Sequence, residues 1–151
     1  MPSGRPPKHD VRVAAADRVR GVTAALVRRA VALVLAGERS GSAALTVTFL
    51  TGQQMRALNR RSLGRDRATD VITFAMRHGG MLVGDICVCP TVAARSAARF
   101  GVPAHEELLR LVVHGTLHAL GQDHPSGPRR VTSAMWRRQE RYVQRLARSE
   151  R

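Results

Sequence analysis

Between His114 and His124 the chain reads His-Gly-Thr-Leu-His-Ala-Leu-Gly-Gln-Asp-His, and this string dictates local geometry more tightly than any other segment. Positions i and i+4 of an α-helix lie on one face, about one turn apart. His114 and His118 can therefore reach a common point without bending the backbone. Gly121 can adopt the left-handed conformation that ends a helix. The chain then folds back, and His124 supplies a third imidazole. Three neutral imidazoles plus water make an open tetrahedral zinc site, the arrangement of catalytic rather than structural zinc. The expected metal ligands are thus His114, His118 and His124, around one zinc ion. Ordinary histidines on a half-buried helix would not need a glycine at that place.

The spacing H-x-x-x-H-x-x-G-x-x-H is also that of the metzincin peptidases. Such a peptidase carries its glutamate general base directly after the first histidine, where this chain has Gly115. A glycine cannot move a proton. Either a zinc-bound water does the work, its pKa lowered to about 7, or the reaction needs another base. Asp123 is the nearest carboxylate in sequence. It serves equally well as a hydrogen-bond partner that orients a histidine. Metallopeptidase is therefore the alternative enzymatic reading.

Charge narrows the partners. Lys+Arg 25 against Asp+Glu 11 gives +14, and Lys8 is the single lysine. A GC-rich genome would explain arginine in place of lysine, but not so few acids. A field of this sign draws polyanions, of which nucleic acid is the commonest in a cytoplasm. Cys87 and Cys89 are too close in sequence to staple a fold, which favours a reducing compartment. Both should pack in the core on one face of a strand. No apolar run approaches the ~20 residues of a membrane span, and the start, MPSGRPPKHD, lacks the apolar core of a signal peptide. A cytoplasmic protein without membrane association is expected.

The 151 residues suit one domain, large enough to bury roughly 70% of its unfolded surface without disulfides. Residues 1–10 read as a basic flexible arm, and residues 11–151 as the folded domain. The pattern predicts a strand at Val11–Ala15 and a helix capped by Asp17, with Val19, Val22, Leu26, Ala30 and Leu33 inward, stopping near Gly37. A strand follows at Ala44–Leu50, then a short helix opened by Thr51 and an arginine-rich loop from Arg60 to Ala68. Val71–Ala75 and Leu82–Val88 form a strand pair joined through His78-Gly79-Gly80. Helices are expected from Pro90 to just before Gly101, over His105–Leu120 and over Thr132–Ala147. The fold class is α+β: one mixed four-stranded sheet packed with about five helices.

These residues resemble a known family. The histidine string is similar to the H-G-x-L-H-L-x-G-x-D-H signature of the YbeY family of bacterial zinc-dependent endoribonucleases and rRNA maturation factors. Leu58-Asn59, Gly64, Asp66 and Thr69-Asp70-Val71-Ile72-Thr73-Phe74 resemble its L-N…G-x-D…T-D-V-L-S-F segment. Gly84-Asp85-Ile86 resembles its G-D-I strand, and Met135, Gln139 and Glu140 the start of its C-terminal helix. The likeness covers roughly residues 11 to 147. It implies a zincin-like metal site and a hydrolase acting on single-stranded RNA. The implied setting is ribosomal RNA processing, 3′-end maturation of small-subunit RNA and ribosome quality control, with ribosomal particles as partners. One departure stands out: where the family commonly has an arginine before the glycine of G-x-D, this chain has Leu63. That leaves a third reading, a non-catalytic ribosome-assembly factor stabilised by zinc.

Phosphodiester hydrolysis needs a Lewis acid on a non-bridging oxygen and positive charge for the transition state. Arg60, Arg61 and Arg65 are the cations nearest the family's arginine position, and Arg65 joins His114, His118 and Asp123 as a candidate catalytic residue. A second group, Arg137, Arg138, Arg141, Arg145 and Arg148, extends around the last helix, either as a solvated face or as salt-sensitive affinity for RNA. The only aromatics are Phe49, Phe74, Phe100, Trp136 and Tyr142, with the three Phe residues expected in the core. Recognition should then rest on backbone charge and RNA shape rather than stacking. Nothing in the pattern points to a nucleotide cofactor, and the oligomeric state stays open.

Overall fold

The computed structural model describes residues 4–16 and 19–149. Four strands, β1 (His9–Ala14), β2 (Ala43–Phe49), β3 (Val71–His78) and β4 (Met81–Val88), form one sheet in the order β1-β2-β4-β3. The β1–β2 and β2–β4 pairs are parallel and β3–β4 is antiparallel, so the sheet is mixed. Helix α1 (Ala24–Gly37) connects β1 to β2, and α2 (Gly52–Leu63) connects β2 to β3. After β4 come α3 (Pro90–Phe100), α4 (Ala104–Ala119), a 3-10 segment (Gly127–Thr132) and α5 (Ala134–Ser149).

Local chemistry accounts for these elements. In β2 every second residue from Ala43 to Phe49 is buried and the rest are half-buried, as alternation in a covered strand requires. The β3–β4 hairpin turns through Gly79 and Gly80, both at positive φ, the backbone that a two-residue turn between twisted strands demands. Thr51 caps α2 with a full capping box: its hydroxyl accepts from the Gln54 amide while the Gln54 side chain accepts from the Thr51 amide.

Three expectations shift. Helix α1 starts at Ala24, where the Thr23 hydroxyl accepts from the Leu26 amide. The expected Asp17 cap lies outside the described residues. Val19 and Val22 precede the helix, and its fully buried stripe is Val27, Ala30, Val31, Val34 and Leu35. Of the predicted inward residues Val22 and Ala30 are buried, while Val19, Leu26 and Leu33 pack half-buried against the core. Arg60–Leu63 are the last turn of α2 rather than loop, and Gly64 closes that helix at φ +67. Phe49 is in the core, but Phe74 is 38% and Phe100 71% exposed, because β3 is an edge strand and Phe100 ends its helix.

Helix α4 is the centre of the molecule. It lies against β3 and β4 on one side and against α1, α3 and α5 on the others. Ten of its residues are buried, among them Leu111, Val112, Val113, His114 and Leu117. Each large aliphatic side chain so covered is worth about 1.5–3 kcal/mol, so this helix is a rigid platform for the groups it carries. Gly115 is the point of closest approach: a Cβ there would lie 2.6 Å from Ile86 Cγ2 and 3.2 Å from Thr73 Oγ1. A second, smaller cluster of Met55, Ile72, Cys87 and Cys89 packs with half-buried residues of α2 and α3, such as Leu58 and Val92. Both cysteines are buried and free, as expected, and burial raises the Cys87 thiol pKa.

Candidate metal centre

Helix α4 ends at Ala119, and Gly121 takes φ +90, so the chain reverses where the spacing required. The reversal brings His124 back to His118 and His114. Their ring centroids are 4.5 Å (His114–His118), 5.1 Å (His114–His124) and 5.1 Å (His118–His124) apart. One nitrogen from each ring lies within 4.8 Å of the others, a group that could hold a metal ion.

The second nitrogen of every ring is engaged. His118 Nδ1 donates to the Gln122 carbonyl and His124 Nδ1 to the Pro125 carbonyl, both at 2.9 Å. Carbonyls only accept, so both rings carry their proton on Nδ1 and leave Nε2 as a lone pair. For His114 the acceptor is Gln139 Oε1 at 2.6 Å. The Gln139 amide is oriented by Glu140, whose Oε2 accepts from Gln139 Nε2 at 3.1 Å. A carboxylate cannot donate, so the amide oxygen must face His114. Glu140 is in turn gripped by Arg110, with Nε and NH2 on its two oxygens at 2.9–3.1 Å. Arg110 also binds Glu107 at 3.0 Å. The Gln122 side chain donates to Glu38, which also accepts from Tyr142 and Arg138.

Burial disfavours the charged form of two of the rings. Burial pushes the His114 pKa down to about 4, helped by neighbouring His118, Arg130 and His124 and opposed by the Gln139 hydrogen bond. Burial also lowers His118. Three imidazoles presenting Nε2, each oriented through Nδ1, are the donor set that a zinc-type ion with bonds of about 2.0 Å takes. The residues fit such an ion.

A cleft of about 620 Å³ runs past His114 and His118, bordered by Leu63, Arg65, Arg67 and Asp70. Arg65 thus borders the same cleft as His114 and His118. Arg56 holds the end of this loop by a two-pronged bond to Asp66, at 2.8 and 3.0 Å. Leu63 lines the same cleft and is 55% exposed. Asp123 Oδ1 accepts from the His124 amide at 2.8 Å, which shapes the turn that delivers His124. Of the C-terminal arginines, Arg138 pairs with Glu38 and Arg137 donates to the Thr132 carbonyl.

One site residue, Arg130, escaped the sequence reading; it borders the cleft together with His114 and Asp70, and all three reach a second cavity beside it. Asp70 Oδ1 accepts from the Val71 amide at 2.8 Å, the strand-entry bond its place in the sequence suggests. Arg130 sits in the 3-10 segment with its guanidinium 5.8 Å from the Trp136 ring. The only signal was its place in a Pro-Arg-Arg run six residues past His124, and nothing in that run distinguishes it from Arg129.

Comparison with known proteins agrees with this geometry. The profile of a family described as Endoribonuclease YbeY matches residues 14–147. A protein named Endoribonuclease YbeY from Chlorobaculum parvum is 34% identical over 127 residues, 84% of this chain and 89% of the relative. One of the same name from Aromatoleum aromaticum is 39% identical over 112 residues, 74% of this chain and 70% of the relative. The solution structure of a Thermotoga maritima protein superposes with a TM-score of 0.63, at 27% identity and 93% coverage of both chains.

Proposed function

The chain belongs to the YbeY endoribonuclease family, and from that premise we propose that it is a zinc-dependent endoribonuclease that cuts single-stranded RNA during ribosomal RNA maturation in the cytoplasm. The observation that carries the reading is the convergence of three imidazoles, each oriented through Nδ1, with His114 and His118 bordering a cleft that Arg65, Arg67 and Arg130 also line. A zinc ion held there by His114, His118 and His124 would supply Lewis acidity toward a phosphodiester oxygen and would acidify a water.

The chain's own residues do the rest. His114, His118 and His124 hold the ion. Arg65, with Arg67 and Arg130 beside it, neutralises the phosphates flanking the cut and the charge that grows on the oxygens around the crowded phosphorus. Asp123, on the loop that carries His124, would take the proton of the attacking water, and solvent would supply the proton gained by the leaving ribose oxygen. The expected arm of residues 1–10 is shortened at its end, because His9 and Asp10 pair with Ala43 and Ala44 as the start of β1. No described helix is long and apolar enough to cross a membrane.

The peptidase reading loses its footing at Gly115. A glutamate there would enter the α4–sheet contact against Ile86, Thr73 and Val71 and would have no room to serve a water in the cleft.

The test is purified protein on single-stranded RNA and on casein, with and without a chelator. RNA should be cut, casein left intact, and the chelator should stop the reaction. His118→Ala, shown folded by circular dichroism, should lose RNA cleavage by at least two orders of magnitude. Cleavage that survives in that variant would overturn the assignment.

A further inference from the structure

A second cavity, of about 390 Å³, opens on the other flank of His114. It shares His114, Asp70 and Arg130 with the arginine-bordered cleft, so a strand lying across the histidines reaches both. Its walls differ in kind from the cleft. They are apolar, with Leu111, Val102, Phe100 and Val131 facing Trp136, the single tryptophan of the chain. Phe100 and Val131 are 71% and 54% exposed, which leaves an unburied apolar rim at the entrance.

The polar part of the cavity holds three carboxylates against two guanidiniums, Arg110 and Arg130. The chain has only eleven acids, yet Asp70, Glu107 and Glu140 all line this one space. Arg110 binds Glu107 and Glu140, which fixes both carboxylates in place. Carboxylates repel phosphate, so in a protein with +14 charge this is a poor place for the RNA backbone. A flat, neutral ring with N–H donors on its edge suits it well: an apolar body against Trp136 and the aliphatic wall, and donors toward carboxylate oxygens. Arg130 stands where such a ring would join its backbone. It borders both cavities, its guanidinium lies over Trp136, and its Nε is buried with no partner among the described residues. A phosphate in the cleft would satisfy it.

We infer that this cavity is a nucleobase subsite that takes the base next to the scissile phosphate and prefers bases with an exocyclic amine. Cytosine, adenine and guanine each offer an amine to the carboxylates. Uracil offers one N–H between two carbonyl oxygens, which the carboxylates repel. The assignment rests on the ribonuclease reading and amends the expectation that recognition uses charge and shape alone.

The test uses the zinc-loaded full chain and the emission of Trp136. CMP, AMP and GMP should each produce a saturable change, with affinities at least threefold tighter than UMP, and ribose 5-phosphate should produce none. Ser96→Phe, which narrows the cavity from α3, should abolish the change while zinc affinity stays within twofold. On the unaltered protein, poly(U) should be cut at least threefold more slowly than poly(C) or poly(A). Equal affinity for UMP and CMP, or the full change from ribose 5-phosphate, would overturn the subsite. Equal cleavage of all three polymers would do so too while leaving the ribonuclease reading intact. Base-selective binding without any RNA cleavage would uphold the subsite and overturn the ribonuclease instead.

Discussion

His114 Nδ1 and Gln139 Oε1 lie 2.6 Å apart in the buried seam between α4 and α5, and through that bond a half-buried ion pair sets the chemistry of a metal ligand. Arg110 fixes Glu140, Glu140 fixes the Gln139 amide, and the amide fixes which nitrogen of His114 carries its proton. Replacing Gln139 by methionine keeps the volume and removes the acceptor. The expected result is zinc affinity weaker by about 10- to 100-fold, measured by competition with a chromophoric chelator, with the far-ultraviolet spectrum retained. Unchanged affinity would mean that the amide plays no part in orienting the ligand.

Gly115 separates this centre from a peptidase by packing as much as by chemistry. Alanine would gain about 1 kcal/mol of helix propensity, but its methyl would fall 2.6 Å from Ile86 Cγ2. Overpacking of that kind costs about 1–3 kcal/mol, so the net change should be a loss of about 1 kcal/mol. A lower urea midpoint with an unchanged slope is the expected readout. Gly115→Glu should lose more stability and acquire no action on casein.

The cleft arginines should appear in the salt dependence of RNA affinity. Each phosphate contact on a single strand contributes about 0.7 to the slope of log affinity against log salt. Arg65→Ala should flatten that slope by about this amount, and Leu63→Arg, at an exposed position in the same cleft, should steepen it equally. Fluorescence anisotropy of a labelled RNA at several ionic strengths measures both. An unchanged slope in Arg65→Ala would place that residue outside the RNA path.

Tyr142 is the single tyrosine, so its ionisation can be followed without interference from another phenol. Burial, and then its bond to Glu38, push its pKa up to about 12 from the ordinary 10. The folded form thus holds its proton where the unfolded form releases it. The stabilisation is complete below pH 10 and is lost as the pH rises toward 12. The near-ultraviolet phenolate signal should rise with a midpoint near 12 while the protein stays folded. A midpoint near 10 in the folded protein would contradict the Glu38 contact.

Periodicity and spacing alone were enough to read the order of strands and helices and the three histidines. Those features are encoded by neighbours: i and i+4 share a helical face, and Gly121 can reverse the chain wherever α4 is packed. The start of α1 was misjudged because the Val19–Val22 spacing imitates a helix, whereas the Thr23 hydroxyl sets the first turn. The last turn of α2 was missed because a run of arginines reads as solvated loop while Met55 and Asn59 are buried on the opposite face. Gln139 lies 25 residues from His114, and Arg130 is one arginine among 24, so neither could be assigned by local pattern. Which nitrogen of each ring faces the ion, why Gly115 admits no side chain, and where a carboxylate-lined pocket opens all depend on α4 being clasped between the sheet and three helices. Hydrogen bonds and contact distances between remote segments exist only once the chain is packed, and no nearest-neighbour code carries them.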